Sequence, residues 1–563
     1  MSRVLTLIAD FNTSILGRYL SAHSSLGDCR IEDRPFGQVI GPLTTFEPEP
    51  GVEHSAFVWV RPEAVSPAFR RAIAMETVRP EECLAELDFY ANAVLGFAAK
   101  QKYCFVAAFT LAPDHHGYGI LDWKPGIGIA HLVALMNLRL AERLESAANV
   151  FMLDPDRWVK ATTMPVLPKL WYAAKIPYAN AVFQRAADDI ASAVLALTGQ
   201  SRRLIILDLD NTLWGGVIGE TGWQGIRLGG HDHVGEAYRA FQESLKALGR
   251  RGVQLAIVSK NDEAVALEAL EQHPEMVLRR EDIAGWRINW HDKAQNILDL
   301  LTELNLGAAS AVFIDDNPVE RDRVRSALPG VLVPEWPDDP CLFVQTLDRL
   351  RCFDTATVSE EDRRRTQMYS ADRARRALQG GSLEEWLTQL GTKVVVEPVS
   401  SANIKRVDQL FNKTNQLNLS TRRLSAEQLL DWAAGPHRRM LAFSVSDRFG
   451  DLGLIGIIGV ETEPGGARLV DYLLSCRVMG RKVEETLIHV AIEEALRLGA
   501  HSIRATYCPS ERNAPTLKVL RAAGLLEIAP HEFSWDCAQP FPKPDPVTLE
   551  WRYQQSPSPV PSA

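Results

Sequence analysis

Apolar residues in this chain fall into two patterns: short unbroken runs that stop abruptly at polar or charged residues, and longer stretches with an apolar residue every three or four positions. The first pattern predicts strands buried on both faces of a parallel sheet, and the second predicts amphipathic helices packed over them. Runs at 4–9, 103–111 and 149–153, with helical spacing at 127–144, predict an α/β domain over residues 1–200. Runs at 205–207, 253–259 and 311–314 predict a second parallel-sheet domain over 201–345. A turn-rich break, Pro334-Glu-Trp-Pro337-Asp-Asp-Pro340, is followed by a helical linker over 346–392. Strands at 440–445, 454–460 and 468–475, then a helix over 482–498, predict an α+β domain over 393–545. Residues 546–563 are expected to be a disordered tail. The fold class is α/β, multidomain.

The chemistry concentrates where strands end. The run at 205–207 stops at Asp208 and continues as Asp-Leu-Asp-Asn-Thr, so Asp208, Asp210 and Thr212 sit at the carboxyl end of a buried strand, where open α/β sheets bind ligands. Paired carboxylates there are costly without a cation, which points to a divalent metal and phosphate chemistry. The run at 253–259 ends in Ser259, a hydroxyl suited to a phosphoryl oxygen, and Lys293 offers a positive charge to the same oxygens. The run at 311–314 ends in Asp315 and Asp316, which would complete an oxygen shell for magnesium.

In this order the four elements resemble the motifs of the haloacid dehalogenase-like superfamily. The resemblance implies a Rossmannoid domain in which Asp208 is the nucleophile that forms an aspartyl phosphate and Asp210 the general acid/base. It also implies that Thr212, Ser259 and Lys293 bind phosphate, and that Asp208, Asp210, Asp315 and Asp316 serve Mg2+. Only about 45 residues separate Thr212 from Ser259, a Gly-rich flap over 214–230 and one helix, so the cap is minimal and the site open. An open site favours a phosphate carried on a macromolecule.

The N-terminal domain loosely resembles SGNH hydrolases and flavodoxin-like folds. Asp10-Phe11-Asn12 stands where such a hydrolase carries Gly-Asp-Ser, and Asp154-Pro-Asp156 lacks a following histidine, so this domain is expected to be a non-catalytic scaffold. His115-His116 are read as surface residues. In the linker, Ser359 is a candidate N-cap, and Arg363, Arg364 and Arg365 form either a solvated helix face or a seat for a phosphate or an acidic partner.

The C-terminal pattern of strand, glycine turn and helix start, Arg477-Val-Met-Gly480-Arg481, resembles the coenzyme A turn of GNAT acyltransferases. Backbone N–H groups and the helix dipole of such a turn face an anion, so Arg477 and Gly480 are assigned to a pantetheine phosphate. Lys482 replaces the last small residue of the GNAT turn, which favours a carrier's single phosphate over coenzyme A. Asn412, Asn415, Asn418 and Arg422 either orient a glyceryl or pantetheine group or form a helix-cap and turn network. Cys476 precedes the turn; it is either a thiolate nucleophile that holds an acyl group or a small buried apolar residue.

Residues 207–216, Asn289-Trp290 with Lys293, 313–318 with Glu320-Arg321, 412–423, 447–451 and 475–480 together resemble FkbH-type proteins of polyketide biosynthesis, from about residue 165 to 540. The resemblance implies transfer of a glyceryl unit from D-1,3-bisphosphoglycerate to the phosphopantetheine thiol of an acyl carrier protein, followed by removal of the remaining phosphate. Two other readings stay open: a magnesium phosphatase acting on a free metabolite or sugar phosphate, and a coenzyme A-dependent N-acyltransferase with an accessory phosphatase domain.

Composition narrows the setting. A formal net charge of −10 without a basic and aromatic stripe argues against nucleic acid, and no apolar run is long enough to span a bilayer. Eight scattered cysteines suit reduced thiols, and the acid at Asp10 comes too soon for a signal peptide, so a cytoplasmic location is expected.

Overall fold

The structure is a computed structural model that describes residues 2–112, 115–230, 232–355, 383–414, 417–475, 478–510 and 513–553. The chain divides into two compact units, residues 1–215, 227–241 and 306–358 in one and 216–226, 242–305 and 359–563 in the other. Residues 201–345, which the sequence pattern marks as one domain, are shared between them.

The first unit holds five parallel strands: β1 (Ser2–Ala9), β2 (Cys29–Asp33), β3 (Val52–Trp59), β4 (Tyr103–Ala107) and β5 (Val150–Leu153). Their order is β2-β1-β3-β4-β5, the flavodoxin-like doubly wound arrangement. Successive strand residues feed opposite cores, which is why the sequence shows continuous apolar runs. Val58 and Val106 pack beneath helices Pro80–Ala98 and Ile129–Leu144, while Phe57 and Phe105 face helices Ser14–Ala22 and Asn180–Leu197. At the switch point after β1 and β3, Asp10 accepts hydrogen bonds from the Arg61 backbone N–H (2.9 Å) and Nε (2.8 Å). The same unit contains β6 (Leu204–Leu207) and β9 (Ala311–Ile314), paired in parallel with Leu207 opposite Ile314 and completely buried.

In the second unit β7 (Gln254–Ser259) pairs in parallel with β8 (Ile283–Ile288). The segment expected as a Gly-rich flap carries a helix, Ile218–Gly225, broken at Gly222 (φ +65°). Trp223 of this helix meets His273 edge-on at 6.2 Å.

The C-terminal sheet is built from β10 (Lys393–Pro398), β11 (Leu417–Asn418), β12 (Arg438–Asp447), β13 (Gly450–Glu463), β14 (Gly466–Leu474), β15 (Ser502–Thr506), β16 (Leu526–Ala529), β17 (Glu532–Asp536) and β18 (Thr548–Trp551). Its main path is β16-β17-β15-β14-β13-β12-β10-β18, and the helix Val483–Arg497 packs on the core. β14 and β15 are parallel and pair only through 467–469 with 503–505, so the strands diverge beyond that point. β11 pairs with β14 at Leu473 and Leu474 where β15 has left it.

One boundary needs correction. The tail expected to be disordered from residue 546 contributes β18, parallel to β10, because Leu549 and Trp551 alternate onto the core and the Arg497 guanidinium lies 4.5 Å from the Trp551 ring. Of the expected linker, Leu383–Leu390 is helical and seats Trp386, Leu387 and Leu390 against Phe449. Ser359 and Arg363–365 lie outside the described residues.

Candidate active site and metal centre

β6 and β9 are adjacent and parallel, so the loops leaving their carboxyl ends emerge side by side, and the ladder continues one step as the Asp208 N–H donates to the Ile314 carbonyl at 3.0 Å. This places Asp208, Asp315 and Asp316 together: one carboxylate oxygen from each lies within 4.8 Å of the others. Asp208 is 7% and Asp315 0% exposed. Three carboxylates gathered at this depth repel one another, and a hard divalent cation resolves that conflict. The donor set, all oxygen and partly open at Asp316, fits magnesium.

Asp210, expected in the metal shell, stands outside this cluster. Its Oδ1 accepts the Trp214 indole N–H at 2.9 Å, and Trp214 is fully buried, which points the carboxylate back along its own loop. Asn211 between them adopts a left-handed conformation (φ +53°), and its carbonyl accepts the Tyr238 hydroxyl at 3.3 Å. Burial, and then the nearby Asp316 charge, push the Tyr238 phenol up to about 12. A side chain at Gly215 would sit 2.9 Å from the Tyr238 ring, so the turn admits only glycine there.

Thr212, assigned to phosphate, is fully buried and engaged with the neighbouring loop. Its hydroxyl accepts the Asp316 N–H at 3.2 Å and lies 3.5 Å from Asp316 Oδ1. It ties the two acidic loops together. Arg321 braces the second of these loops from within: 7% exposed, it donates from Nη1 to the carbonyls of Asp315 (3.0 Å) and Asp316 (2.7 Å). Asp315 Oδ1 accepts the Asn317 N–H at 2.9 Å. Arg321 and Trp214 carry no catalytic signature in sequence. The signal that could have found them is an arginine and a tryptophan each a few residues from paired acids.

Ser259 and Lys293 lie in the second unit, both buried, at 2% and 3% exposure. Ser259 ends β7, and its Oγ accepts the Asn261 side-chain amide at 3.1 Å. Lys293 begins the helix Lys293–Glu303, where Asp292 caps the Gln295 N–H at 3.2 Å.

The C-terminal candidates divide. Asn415, Cys476 and Arg477 lie outside the described residues. Asn412 donates to Asp408 Oδ1 (2.9 Å) and to the Leu424 carbonyl (3.0 Å). Asn418 is 1% exposed, accepting the Thr421 N–H at 2.9 Å and donating to the Thr414 carbonyl at 3.0 Å. Arg422 makes a two-pronged ion pair with Asp471, which is fully buried. These side chains form the turn network that is one of the two expectations for them. Asn513, also buried, joins it: its amide donates to the Asn418 (2.9 Å) and Cys508 (2.8 Å) carbonyls while its oxygen accepts from Tyr507 Oη (2.8 Å) and Ser510 N (2.7 Å).

At the expected pantetheine turn, Gly480 has φ +75°, but its N–H donates to the Glu484 carboxylate. Glu484 is 7% exposed and burial pushes its pKa upward. Lys482, left-handed at φ +65°, pairs with Glu485 at 2.9 Å. An anion arriving at this turn would have to displace a carboxylate.

The chain is similar to the solved N-terminal part of a Bacteroides fragilis protein containing a phosphatase domain complexed with Mg. The match covers 63% of this chain and 95% of that chain at 26% identity, with a TM-score of 0.56. Shorter matches cover 26% of this chain and 94% of the ribosomal-protein-S18-alanine N-acetyltransferase from Escherichia coli (8% identity, TM-score 0.21). Another covers 25% of this chain and 96% of the PaiA N-acetyltransferase from Thermoplasma acidophilum in complex with coenzyme A (15% identity, TM-score 0.21). No family model and no curated protein matches the chain. With the strand topology above, the fold class is α/β and multidomain, with a haloacid dehalogenase-like phosphatase domain and a separate, mostly antiparallel C-terminal sheet.

Proposed function

We propose that this protein is a magnesium-dependent phosphatase and glyceryltransferase of the FkbH type. It would load the glyceryl unit of D-1,3-bisphosphoglycerate onto the phosphopantetheine thiol of an acyl carrier protein and then remove the remaining phosphate. The observation that carries the phosphatase half is the Asp208, Asp315 and Asp316 cluster at the ends of β6 and β9, with Asp210 held apart by Trp214. The Mg complex of the Bacteroides fragilis structure supports it. The glyceryl and carrier assignments rest on the FkbH resemblance.

Magnesium held by Asp208, Asp315 and Asp316 would neutralise charge that otherwise repels a phosphate. The Asp208 carboxylate attacks phosphorus and the glyceryl oxygen leaves, taking a proton from Asp210. Water then attacks the aspartyl phosphate, giving its proton to Asp210; inorganic phosphate departs and Asp208 is regenerated. Trp214 orients Asp210 for both transfers, while Ser259 and Lys293 keep the phosphate-binding roles the resemblance assigns them. The acyl step needs less catalysis, because the mixed anhydride is already activated: the pantetheine thiol attacks its carbonyl carbon and the anhydride phosphate leaves.

The test is intact-mass measurement of candidate holo-carrier proteins after incubation with the enzyme, Mg2+ and D-1,3-bisphosphoglycerate. A glyceryl adduct is expected, and phosphoglyceryl carrier should be dephosphorylated orders of magnitude faster than free 3-phosphoglycerate. Equal specificity constants with no adduct would favour the second reading, a phosphatase of free metabolites. The Glu484 carboxylate on the Gly480 N–H favours that second reading and counts against coenzyme A.

A further inference from the structure

Between β5 and the helix Asn180–Leu197 the chain crosses the carboxyl end of the N-terminal sheet, and the mechanism above uses none of it. Residues 157–175 hold four basic residues, Arg157, Lys160, Lys169 and Lys175, of which Lys160 is paired with Asp156 at 2.8 Å and the other three outnumber any acid within the segment, in a chain of net charge −10. All four are exposed, as are Met164 (65%), Leu167 (39%) and Tyr172 (79%).

The same segment is firmly anchored from within. Trp158 is 1% exposed, packs on Trp59 at 5.0 Å and donates its indole N–H to Asp189 at 2.6 Å. Arg61 lies over the Trp171 ring at 4.3 Å and Lys175 at 5.1 Å. The Lys175 carbonyl accepts the Asn12 N–H at 3.0 Å, and Ala179 N–H closes onto Pro165 at 2.8 Å. Buried aromatics therefore hold a surface on which lysines, arginine and large apolar side chains face water. That arrangement has nothing to offer the core, and its ordering cost is already met before a partner arrives.

We infer that this surface docks the acyl carrier, recognised as a small acidic domain that presents an apolar spot within an acidic face; the inference rests on the carrier reading above. Charge complementarity selects that occupant. An anionic membrane fits less well, since the helices here, Pro155–Lys160 and Pro168–Ala174, are too short to lie as amphipathic helices in a bilayer interface.

The experiment uses the full chain with Arg157→Glu, Lys160→Glu and Lys169→Glu combined, and separately with Met164→Ser and Tyr172→Ser combined. Phosphate release is measured from phosphoglyceryl carrier and from 4-nitrophenyl phosphate. Expected for both variants is a rise in KM for the carrier of about tenfold or more with kcat and small-substrate activity unchanged. For the charge variant the effect should shrink between about 50 and 500 mM salt, as screening over about a Debye length requires. Unchanged carrier KM in both variants, with a wild type active on the carrier, overturns the docking surface and leaves the chemistry standing. A wild type with no carrier activity overturns both. Binding to anionic vesicles, or self-association that the variants abolish, assigns the surface to another occupant and overturns the inference.

Discussion

Arg321→Met tests whether the acidic loop after β9 is held in place by a brace beneath it. The substitution keeps an unbranched side chain of comparable reach but removes the donors to the Asp315 and Asp316 carbonyls at 3.0 and 2.7 Å. A buried carbonyl left without its partner costs about 1–3 kcal/mol. Asp315 is 0% exposed, so its carbonyl bears that full loss, whereas the half-buried Asp316 can recover part of its loss from water. The Glu335 contact, at 3.6 Å to a side chain 80% exposed, adds almost nothing. The total is about 2–4 kcal/mol, equivalent to a fall in Tm of roughly 5–15 °C for a domain of this size. The loop carries two of the three clustered carboxylates, so apparent Mg2+ affinity, read from metal titration of phosphate release, should weaken about 10–100-fold. Arg321→Lys, which keeps the charge and one donor, should fall between. If Arg321→Met melts within a degree of wild type and titrates with Mg2+ identically, the brace is not what holds the cluster.

Asp208→Asn should abolish phosphate release with little change in Tm and let phosphoglyceryl carrier accumulate; normal release would remove Asp208 as nucleophile. Burial raises the Glu484 pKa above its ordinary 4.5, so the folded chain holds that proton more tightly than the unfolded chain. Its stabilising contribution is therefore complete below about pH 4.5 and is lost as pH rises through the folded value. Glu484→Gln, which can still accept from Gly480, should gain stability over wild type at about pH 7–8 and not at about pH 4, by urea unfolding; a pH-independent difference would contradict this. If Cys476 takes the acyl group from the anhydride as a thioester, incubation with D-1,3-bisphosphoglycerate alone should leave a thiol-labile mass on its peptide. Wild-type loading by Cys476→Ala would eliminate that step.

Legibility in the sequence tracks burial. β1, β4, β5, β6, β7 and β9 are apolar runs that can be read directly. β2, Cys-Arg-Ile-Glu-Asp, is an edge strand with polar residues, and β3 opens Val-Glu-His-Ser before turning apolar, so neither shows a clean period. β18 is hidden by a proline-rich neighbourhood, and its pairing with β10 is a contact across about 150 residues that no local pattern announces. At the site, the carboxylates are legible because acids that end a buried strand lose their hydration and need a cation to replace it. The orientation of Asp210 is less legible, because it is held by an indole four residues away. For Asn418 and Arg422, residue type fits a ligand site or a turn equally well, and only their partners, Thr414, Thr421 and Asp471, separate the two.

The Glu484 carboxylate on the Gly480 N–H makes the entrance to the helix Val483–Arg497 self-liganded. Any incoming anion competes with a tethered rival whose local concentration is fixed by four residues of chain and does not dilute. Occupancy there would behave as a threshold, insensitive to traces of phosphate and responsive only to a ligand that brings further contacts of its own. Protonation of Glu484 would lower that threshold, so acidity and ligand act in the same direction on one backbone amide.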